Sequence, residues 1–325
     1  MTRIIIRTVL LILIIAPFDN AFSNSRINFA IVLEADTSNL SIFSHFTLPH
    51  KAVDFKIISN DQNIRLNSSY TVLASQGTIK DNGNNVFQWQ APDSAGSYKI
   101  FISHNESGEK MILNVFVMEP LQNVVNGMLN GYRIGFYPKP RIKENSIYAP
   151  PKGFIQVTES DMDLSVTPHF KLGQFVCKQP STYPRYVVLT TKLLLKLEFI
   201  LDKLNESGIQ CQSFHVMSGY RTPHYNKNIG NVRFSRHIWG DAADVFIDEN
   251  PEDGLMDDIN KDGTINYNDA CYLYDIIDEL YPEHCARHLV GGLGKYPSNS
   301  VHGPFIHIDA RGHRARWGTP PRMGE

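Results

Sequence analysis

Residues 235–244 read SRHIWGDAAD, and they predict a turn followed by a strand. Gly240 lies between His237 and Asp244, so a tight turn can bring these two side chains together. An apolar run, VFI, follows Asp244 and predicts a strand that begins near this residue. The stretch therefore predicts an imidazole and a carboxylate that lie side by side.

A second strand is predicted within residues 302–309, which read HGPFIHID. In an extended segment His307 and Asp309 share one face. Imidazole and carboxylate are good zinc ligands, and a catalytic zinc site uses three protein ligands while a fourth position is left for water. We therefore predict a hydrolytic zinc site formed by His237, Asp244 and His307.

The two stretches resemble the metal signature of the M15 peptidases, the D-alanyl-D-alanine carboxypeptidase family. That signature reads S-x-H-x-x-G-x-A-x-D, with H-x-D downstream, and the SGYR at 218–221 also fits the family. The family shares its fold with the N-terminal domain of hedgehog proteins and with related murein endopeptidases. The resemblance covers roughly residues 165–320. It implies a zinc peptidase that cuts peptidoglycan stem or cross-link peptides at bonds involving a D-amino acid.

Two further roles are implied by the resemblance. Arg221 matches a position that faces the substrate, where a guanidinium could bind a carboxylate or the developing oxyanion through two hydrogen bonds. The alternative is a structural arginine that pairs with a strand carboxylate. Many members carry Glu or Asp as the general base three residues before the last zinc histidine, and this chain has Pro304 there. Some related murein peptidases place a histidine two residues earlier, so His302 is the predicted base.

Pro304 also motivates a rival function. If the base is missing, the chain would be a catalytically inactive, hedgehog-like metal-containing module that binds the cell wall. Zinc would then be bound without turnover.

A second candidate metal site lies at residues 258–269, which read DINKDGTINYND. The spacing resembles a dockerin or EF-hand calcium loop, with Asp in place of the usual final Glu. The predicted calcium ligands are Asp258, Asn260, Asp262, Thr264, Asn266 and Asp269. The alternative is a hydrophilic surface loop, because Asp, Asn and Gly also favour turns. Calcium would stiffen an insertion at about 248–270, or the loop could dock a protein partner.

Residues from about 27 to 118 read as short strands separated by turn formers. Tyr98, Ile100 and Ile102 lie at every second position, which is typical of a strand with one buried face. The pattern predicts an Ig-like β-sandwich over residues 24–118 that acts as a spacer or binding module.

The rest of the chain is predicted to be α+β. Apolar residues between 186 and 205 lie at helical spacing, and Gly208 stands where a C-cap glycine belongs. Residues 119–152, rich in Pro, Gly and Tyr, predict an ordered but irregular connector. The protein is therefore predicted to be multidomain: an all-β Ig-like sandwich followed by an α+β, hedgehog/DD-peptidase-like zinc domain at 153–325.

The N-terminus predicts export. Arg3 and Arg7 precede a short apolar run, and Ala21 and Ser23 fit a cleavage site. We predict a signal peptide at 1–23 and a periplasmic or secreted protein, with an uncleaved anchor as the alternative. No other stretch is long and apolar enough to cross a membrane.

Charge and cysteine content set further expectations. The net charge is −2 and no basic run is interleaved with aromatic residues, so no nucleic-acid partner is expected. An exported chain meets oxidants, and four cysteines allow three full disulfide pairings. Buried thiols or structural bridges are expected at Cys177, Cys211, Cys271 and Cys285.

Overall fold

A computed structural model describes residues 25–59, 69–139, 146–280 and 289–318. The predicted signal peptide and Cys285 lie outside these residues. Within them, Cys177, Cys211 and Cys271 are free thiols. A search of the same residues finds no helix that is long and apolar enough to span a membrane.

The N-terminal region consists of two β-sheets that share one core. The strands are β1 Arg26–Leu33, β2 Asp36–Leu40, β3 Ile42–Thr47, β4 Ala52–Ser59, β5 Tyr70–Ala74, β6 Thr78–Asp81, β7 Val86–Gln90, β8 Gly96–His104 and β9 Lys110–Val117. One sheet has the order β2-β1-β4-β7-β6 and the other β3-β9-β8-β5. The alternation in β8 buries Tyr98, Ile100 and Ile102 in the shared core. This arrangement is the two-layer sandwich that the alternation predicts.

The C-terminal region is built on a five-stranded sheet with the order β15-β16-β18-β17-β19. These strands are β15 His215–Ser218, β16 Ala242–Phe246, β17 Gly292–Tyr296, β18 Phe305–Asp309 and β19 Ala315–Gly318. The helices are α1 Thr191–Glu206, α2 Pro223–Asn228 and α3 Tyr267–Glu279. Of these, α1 and α3 share a core with Val245, Ile306 and Ile308 of the sheet. Since neighbouring residues of a strand point to opposite faces, His307 lies on the face away from that core.

The first helix begins later in the structure than the apolar pattern predicts. Tyr186 and Val187 belong to a strand, β14 Arg185–Val187, that pairs with β13 Gly153–Val157. Helix α1 starts after Thr190, whose hydroxyl accepts a hydrogen bond from the Leu193 N–H at 3.3 Å. Gly208 follows the helix at a φ of 91°, the conformation that favours glycine at a C-cap.

Residues 119–139 pack as part of the C-terminal region. A two-residue strand, β10 Glu119–Pro120, pairs with β13. A hairpin follows, formed by β11 Met128–Leu129 and β12 Tyr132–Arg133. Leu129, Tyr132 and Ile134 are buried in the C-terminal core, so this stretch is more than a connection between two units.

Helix α1 also contacts the sandwich. Leu195 is buried in the sandwich core, and the Thr191 hydroxyl donates to the Ser44 carbonyl at 3.2 Å. Asn114 of the sandwich donates to the Ser165 carbonyl at 2.9 Å. The same helix therefore packs against the five-stranded C-terminal sheet and against the N-terminal region.

His169 should give the stability of this fold a measurable pH dependence. Its hydrogen bond to the buried Glu198 carboxylate raises the pKa of His169 above the ordinary value of 6.5. A raised folded-state pKa stabilises the protein below the unfolded-state pKa, and the contribution is lost as the pH rises through the folded-state pKa. We expect urea unfolding to show that the stability advantage of the native protein over His169→Gln is largest below pH 6.5 and shrinks as the pH rises above it. An advantage that does not change with pH would contradict the assignment.

Candidate metal centre

One row of paired residues crosses all five strands of the C-terminal sheet. In register order it contains Ser218, Asp244, His307, Gly294 and Trp317. Directly paired residues point to the same face of a sheet, so the row places the Asp244 and His307 side chains next to each other. Asp244 lies at the centre of β16 rather than near its start, where the sequence placed it.

His237 completes a buried group with these two residues. It lies in a 3₁₀ turn, Arg236–Trp239, which ends at Gly240 with a φ of 69°. His237 Nε2 lies 3.1 Å from Asp244 Oδ1 and 3.2 Å from His307 Nδ1, and His307 Nδ1 lies 2.8 Å from Asp244 Oδ1. The three ligand atoms thus converge on one point, as the sequence predicts for a metal site.

The hydrogen bonds of the two histidines fix which nitrogen is available to a metal. His237 Nδ1 lies 2.6 Å from the Gly219 carbonyl oxygen, so this nitrogen carries the proton and Nε2 keeps its lone pair. His307 has a carboxylate at each ring nitrogen, Asp244 Oδ1 at 2.8 Å from Nδ1 and Asp309 Oδ2 at 3.3 Å from Nε2. A metal at Nδ1 would replace the proton there, and Asp309 would hold the proton on Nε2. Such partners orient metal-binding histidines in general. Two imidazoles and a carboxylate with these orientations fit zinc.

Electrostatics keeps the carboxylate ionised. Burial alone would raise the pKa of Asp244, but the charges of His237 and His307 and their hydrogen bonds hold it well below its usual range. Burial lowers the pKa of His237, which favours the neutral ligand form. Burial would also lower the pKa of His307, but its hydrogen bonds to Asp244 and Asp309 raise it. A metal ion would therefore displace a proton from His307 on binding, because only deprotonated groups coordinate it.

Asp309 is held in place from several sides. Its Oδ1 accepts hydrogen bonds from the Gly292 N–H at 2.8 Å and from Arg311 Nε at 2.9 Å, and its carbonyl accepts one from Lys196 at 2.6 Å. Burial alone would raise the pKa of Asp309, but the hydrogen bonds and charges of His307 and Arg311 hold it below the usual range. Asp309 therefore stays charged and orients the ring of His307.

Arg221 contacts the metal site directly. Its guanidinium donates to Asp244 Oδ2, and its Nε donates to the Ser218 hydroxyl at 2.8 Å. This is the pairing with a strand carboxylate that the sequence leaves open as an alternative. Arg221 also lines the cavity beside the metal site, so the pairing does not remove it from contact with a ligand.

A cavity of about 550 Å³ joins the metal site to His302. Its lining includes Arg221, His237, Asp244, His302 and His307. His302 Nδ1 donates to the Gly303 carbonyl at 2.8 Å, so its Nε2 has a lone pair, which accepts a hydrogen bond from the Asn299 amide at 2.8 Å. The structure thus brings the candidate base into the same cavity as the three candidate zinc ligands.

Two aromatic residues of this cavity are missing from the sequence-based site. Trp317 lies 5.2 Å from the ring of His307, and Tyr296 stacks on Phe305 at 4.7 Å. Both line the cavity. The sequence does contain an indication of Trp317. Gly292 and Gly294 lie on the same face of β17, and because they have no side chains they leave room that the Trp317 indole fills.

The candidate calcium loop has a compact internal hydrogen-bond pattern. Asp258 Oδ2 accepts from the Gly263 N–H at 2.8 Å, and Asp262 Oδ1 accepts from the Thr264 N–H at 2.9 Å. Asp269 is fully buried and accepts from the backbone of Ile259 and Asn266, both within the loop. The predicted helix after the loop is α3, with Leu273 and Ile277 buried.

The Peptidase M15 family model matches residues 168–268. The match includes His237 and Asp244 and ends before His302 and His307. It supports a metallopeptidase-type function for this part of the chain, and M15 peptidases are zinc-dependent.

Other comparisons contribute no further argument. No curated protein matches the chain. The Yersinia pseudotuberculosis adhesin InvE is 10% identical over 29% of this chain and 27% of that one, with a TM-score of 0.20. An endo-fucoidan hydrolase of glycoside hydrolase family 107 is 13% identical over 30% of this chain and 14% of that one, also with a TM-score of 0.20. The chain thus spans only a minor part of these two structures, and TM-scores this low carry no functional meaning.

Proposed function

We propose that this chain is an exported zinc peptidase that hydrolyses peptidoglycan stem or cross-link peptides at bonds involving a D-amino acid. The observation that carries the proposal is the buried group of His237, Asp244 and His307, which lines a cavity together with Arg221 and His302. The Peptidase M15 match supports the reaction class. The enzyme would be a D-Ala-D-Ala carboxypeptidase or a murein endopeptidase.

Five residues of the cavity have proposed tasks. His237 Nε2, His307 Nδ1 and Asp244 Oδ1 would hold the zinc ion. When bound, zinc supplies polarisation of the scissile carbonyl and lowers the pKa of a water molecule. His302 takes a proton from the attacking water at Nε2 once the Asn299 amide, which donates to that nitrogen in this structure, gives way, while Nδ1 still donates a hydrogen bond to the Gly303 carbonyl. Arg221 orients the substrate at the cavity wall and donates to Asp244.

The proposal is tested by mass spectrometry of purified peptidoglycan digested with the zinc-loaded mature protein. His237→Ala serves as the control. New peptide products that are absent from the control would support the peptidase, and their masses would identify the bond. No products from a protein that holds one zinc per chain would instead favour a cell-wall binding module without turnover, a rival for which Pro304 is the specific observation.

We also propose a fold for each of the two regions. We assign the nine-stranded N-terminal region to an Ig-like sandwich, on the basis of its two sheets and shared core. The C-terminal region is assigned to the hedgehog/DD-peptidase fold, on the basis of its metal-bearing sheet backed by α1. The sandwich would act as a spacer or a binding module.

The loop at 258–269 is proposed to bind calcium through the six predicted ligands. We expect calcium to raise the thermal unfolding temperature, since a ligand at 100 times its Kd stabilises the folded state by about 2.7 kcal/mol. EGTA should reverse the effect without removing zinc. The double variant Asp258→Asn/Asp262→Asn should lose this stabilisation by calcium. Asp253→Asn, in the same insertion, should keep it.

A native protein that melts at the same temperature with calcium and with EGTA would contradict the calcium assignment. Docking of a protein partner through the loop is a separate proposal. It requires a partner that is retained with calcium and released by EGTA.

A further inference from the structure

Tyr296 lies on the same face of the sheet as the metal ligands. On β17 it pairs with Phe305, and Gly294, two residues earlier, pairs with His307. Tyr296 and His307 are therefore diagonal neighbours across β17 and β18, a separation that aromatic side chains can bridge. Both residues line the cavity that contains Asp244.

The hydroxyl of Tyr296 is oriented by one hydrogen bond. Trp317 Nε1 donates to Tyr296 Oη at 2.7 Å. An indole N–H can only donate, so this contact uses a lone pair of the phenol and leaves its proton available. In the described part of the chain no hydrogen bond uses that proton. Burial raises the pKa of Tyr296, so the phenol keeps its proton at neutral pH.

Part of the donor capacity of Arg221 is already committed, so a second oriented donor in the cavity would act beside it. Its Nε donates to Ser218 and one of its terminal nitrogens donates to Asp244. Pro304, which stands where many family members carry an acidic residue, has no side-chain hydrogen-bonding group. A carbonyl oxygen that gains negative charge in this cavity is stabilised best by a donor that is already oriented.

We infer that Tyr296 is a further catalytic residue, which donates a hydrogen bond to the carbonyl oxygen of the scissile peptide bond, and that Trp317 is its positioning residue. The inference rests on the proposed peptidase function. Tyr296 keeps its proton throughout, and no bond to it forms or breaks. Its hydrogen bond strengthens as charge develops on the substrate oxygen, so it stabilises the transition state more than the bound substrate.

Gly294 explains how Trp317 reaches Tyr296. In the row of paired residues, Gly294 of β17 stands between Trp317 of β19 and His307 of β18. A Cβ atom at Gly294 would lie 2.4 Å from Trp317 Nε1, so only glycine lets the indole cross β17. The same position brings the indole ring 5.2 Å from the His307 ring. Trp317 therefore holds the phenol from one side and packs against a zinc ligand on the other.

The decisive variant is Tyr296→Phe, which removes the hydroxyl and keeps the ring. Loss of one such donor costs about 10²- to 10³-fold in kcat. We expect this loss with zinc still at one per chain and with KM changed less than about threefold, because the bond forms mainly in the transition state. Tyr274→Phe is the matched control, since this half-buried tyrosine of α3 lies outside the cavity lining, and it should keep native kcat.

The affinity for a phosphinate pseudopeptide of the substrate distinguishes a catalytic role of Tyr296 from a role in packing. The tetrahedral oxygens of this compound mimic the transition state, so Tyr296→Phe should weaken its binding by the same factor as kcat. Trp317→Phe, which loses the indole donor and part of the ring, should lower kcat by a smaller factor, about tenfold.

Native kcat, or unchanged phosphinate affinity, in Tyr296→Phe would overturn the inference and leave the peptidase standing. If the native zinc protein cleaves no peptidoglycan, both the proposed function and this inference fall.

Discussion

His237→Ala is expected to remove zinc from the protein and to abolish peptidoglycan cleavage. His237 supplies one of three converging ligand atoms, and its Nδ1 is held by the Gly219 carbonyl. With one of three protein ligands gone, the remaining pair cannot complete the tetrahedral site that zinc prefers. Zinc content, measured by atomic emission, should fall from one per chain to near zero, and Asp244→Ala should behave in the same way.

The control for this experiment is His50→Ala, which removes an exposed histidine of the sandwich. It should keep both zinc and activity. Asp244→Ala also leaves the buried guanidinium of Arg221 without its carboxylate, so this variant should be the less stable of the two zinc-site variants. Zinc at one per chain in His237→Ala would show that the metal is bound elsewhere.

His302→Ala is expected to keep the metal and lose turnover. His302 lines the cavity but does not belong to the converging group, so zinc binding does not depend on it. A positioned general base contributes about 10²- to 10⁴-fold to the rate, and kcat should fall by that factor. The measurement is a steady-state assay on muropeptides, combined with zinc analysis of the same sample.

Asn299→Ala provides the matched comparison. It removes the amide that donates to His302 Nε2 and keeps the imidazole itself. We expect a much smaller loss of kcat, since the base is still present. Native kcat in His302→Ala would refute the base assignment, and another group of the cavity would have to accept the proton.

The sequence was sufficient for the features that depend on local pattern. The period of two in residues 305–309 predicted the strand that carries His307, and Gly240 predicted the turn that carries His237. Helix α1 was predicted, but the predicted pattern began at residue 186 rather than at Thr191. Tyr186 and Val187 fit a helical pattern, but they gain more by pairing with β13, a partner that is distant in sequence.

Other features depend on contacts that no local pattern specifies. Residues 119–139 have no clear period, yet Tyr132 is buried in the C-terminal core. The hydrogen bond from Trp317 to Tyr296 joins two strands whose pairing is visible only in three dimensions. The sequence names a strand carboxylate as an alternative partner of Arg221, but only the structure identifies that carboxylate as Asp244. In each case the partner is set by sheet order rather than by spacing along the chain.

The pairing of Arg221 with Asp244 has a consequence for the ionic strength at which this protein works. One positive and one negative charge cancel beside the metal, and the other two arginines of the cavity, Arg236 and Arg311, are each paired with a buried aspartate. In the proposed zinc form the ion's double positive charge is therefore not neutralised by its own protein shell. A peptide that ends in a carboxylate would be drawn towards the cavity, and added salt would slow its arrival because mobile ions screen that attraction.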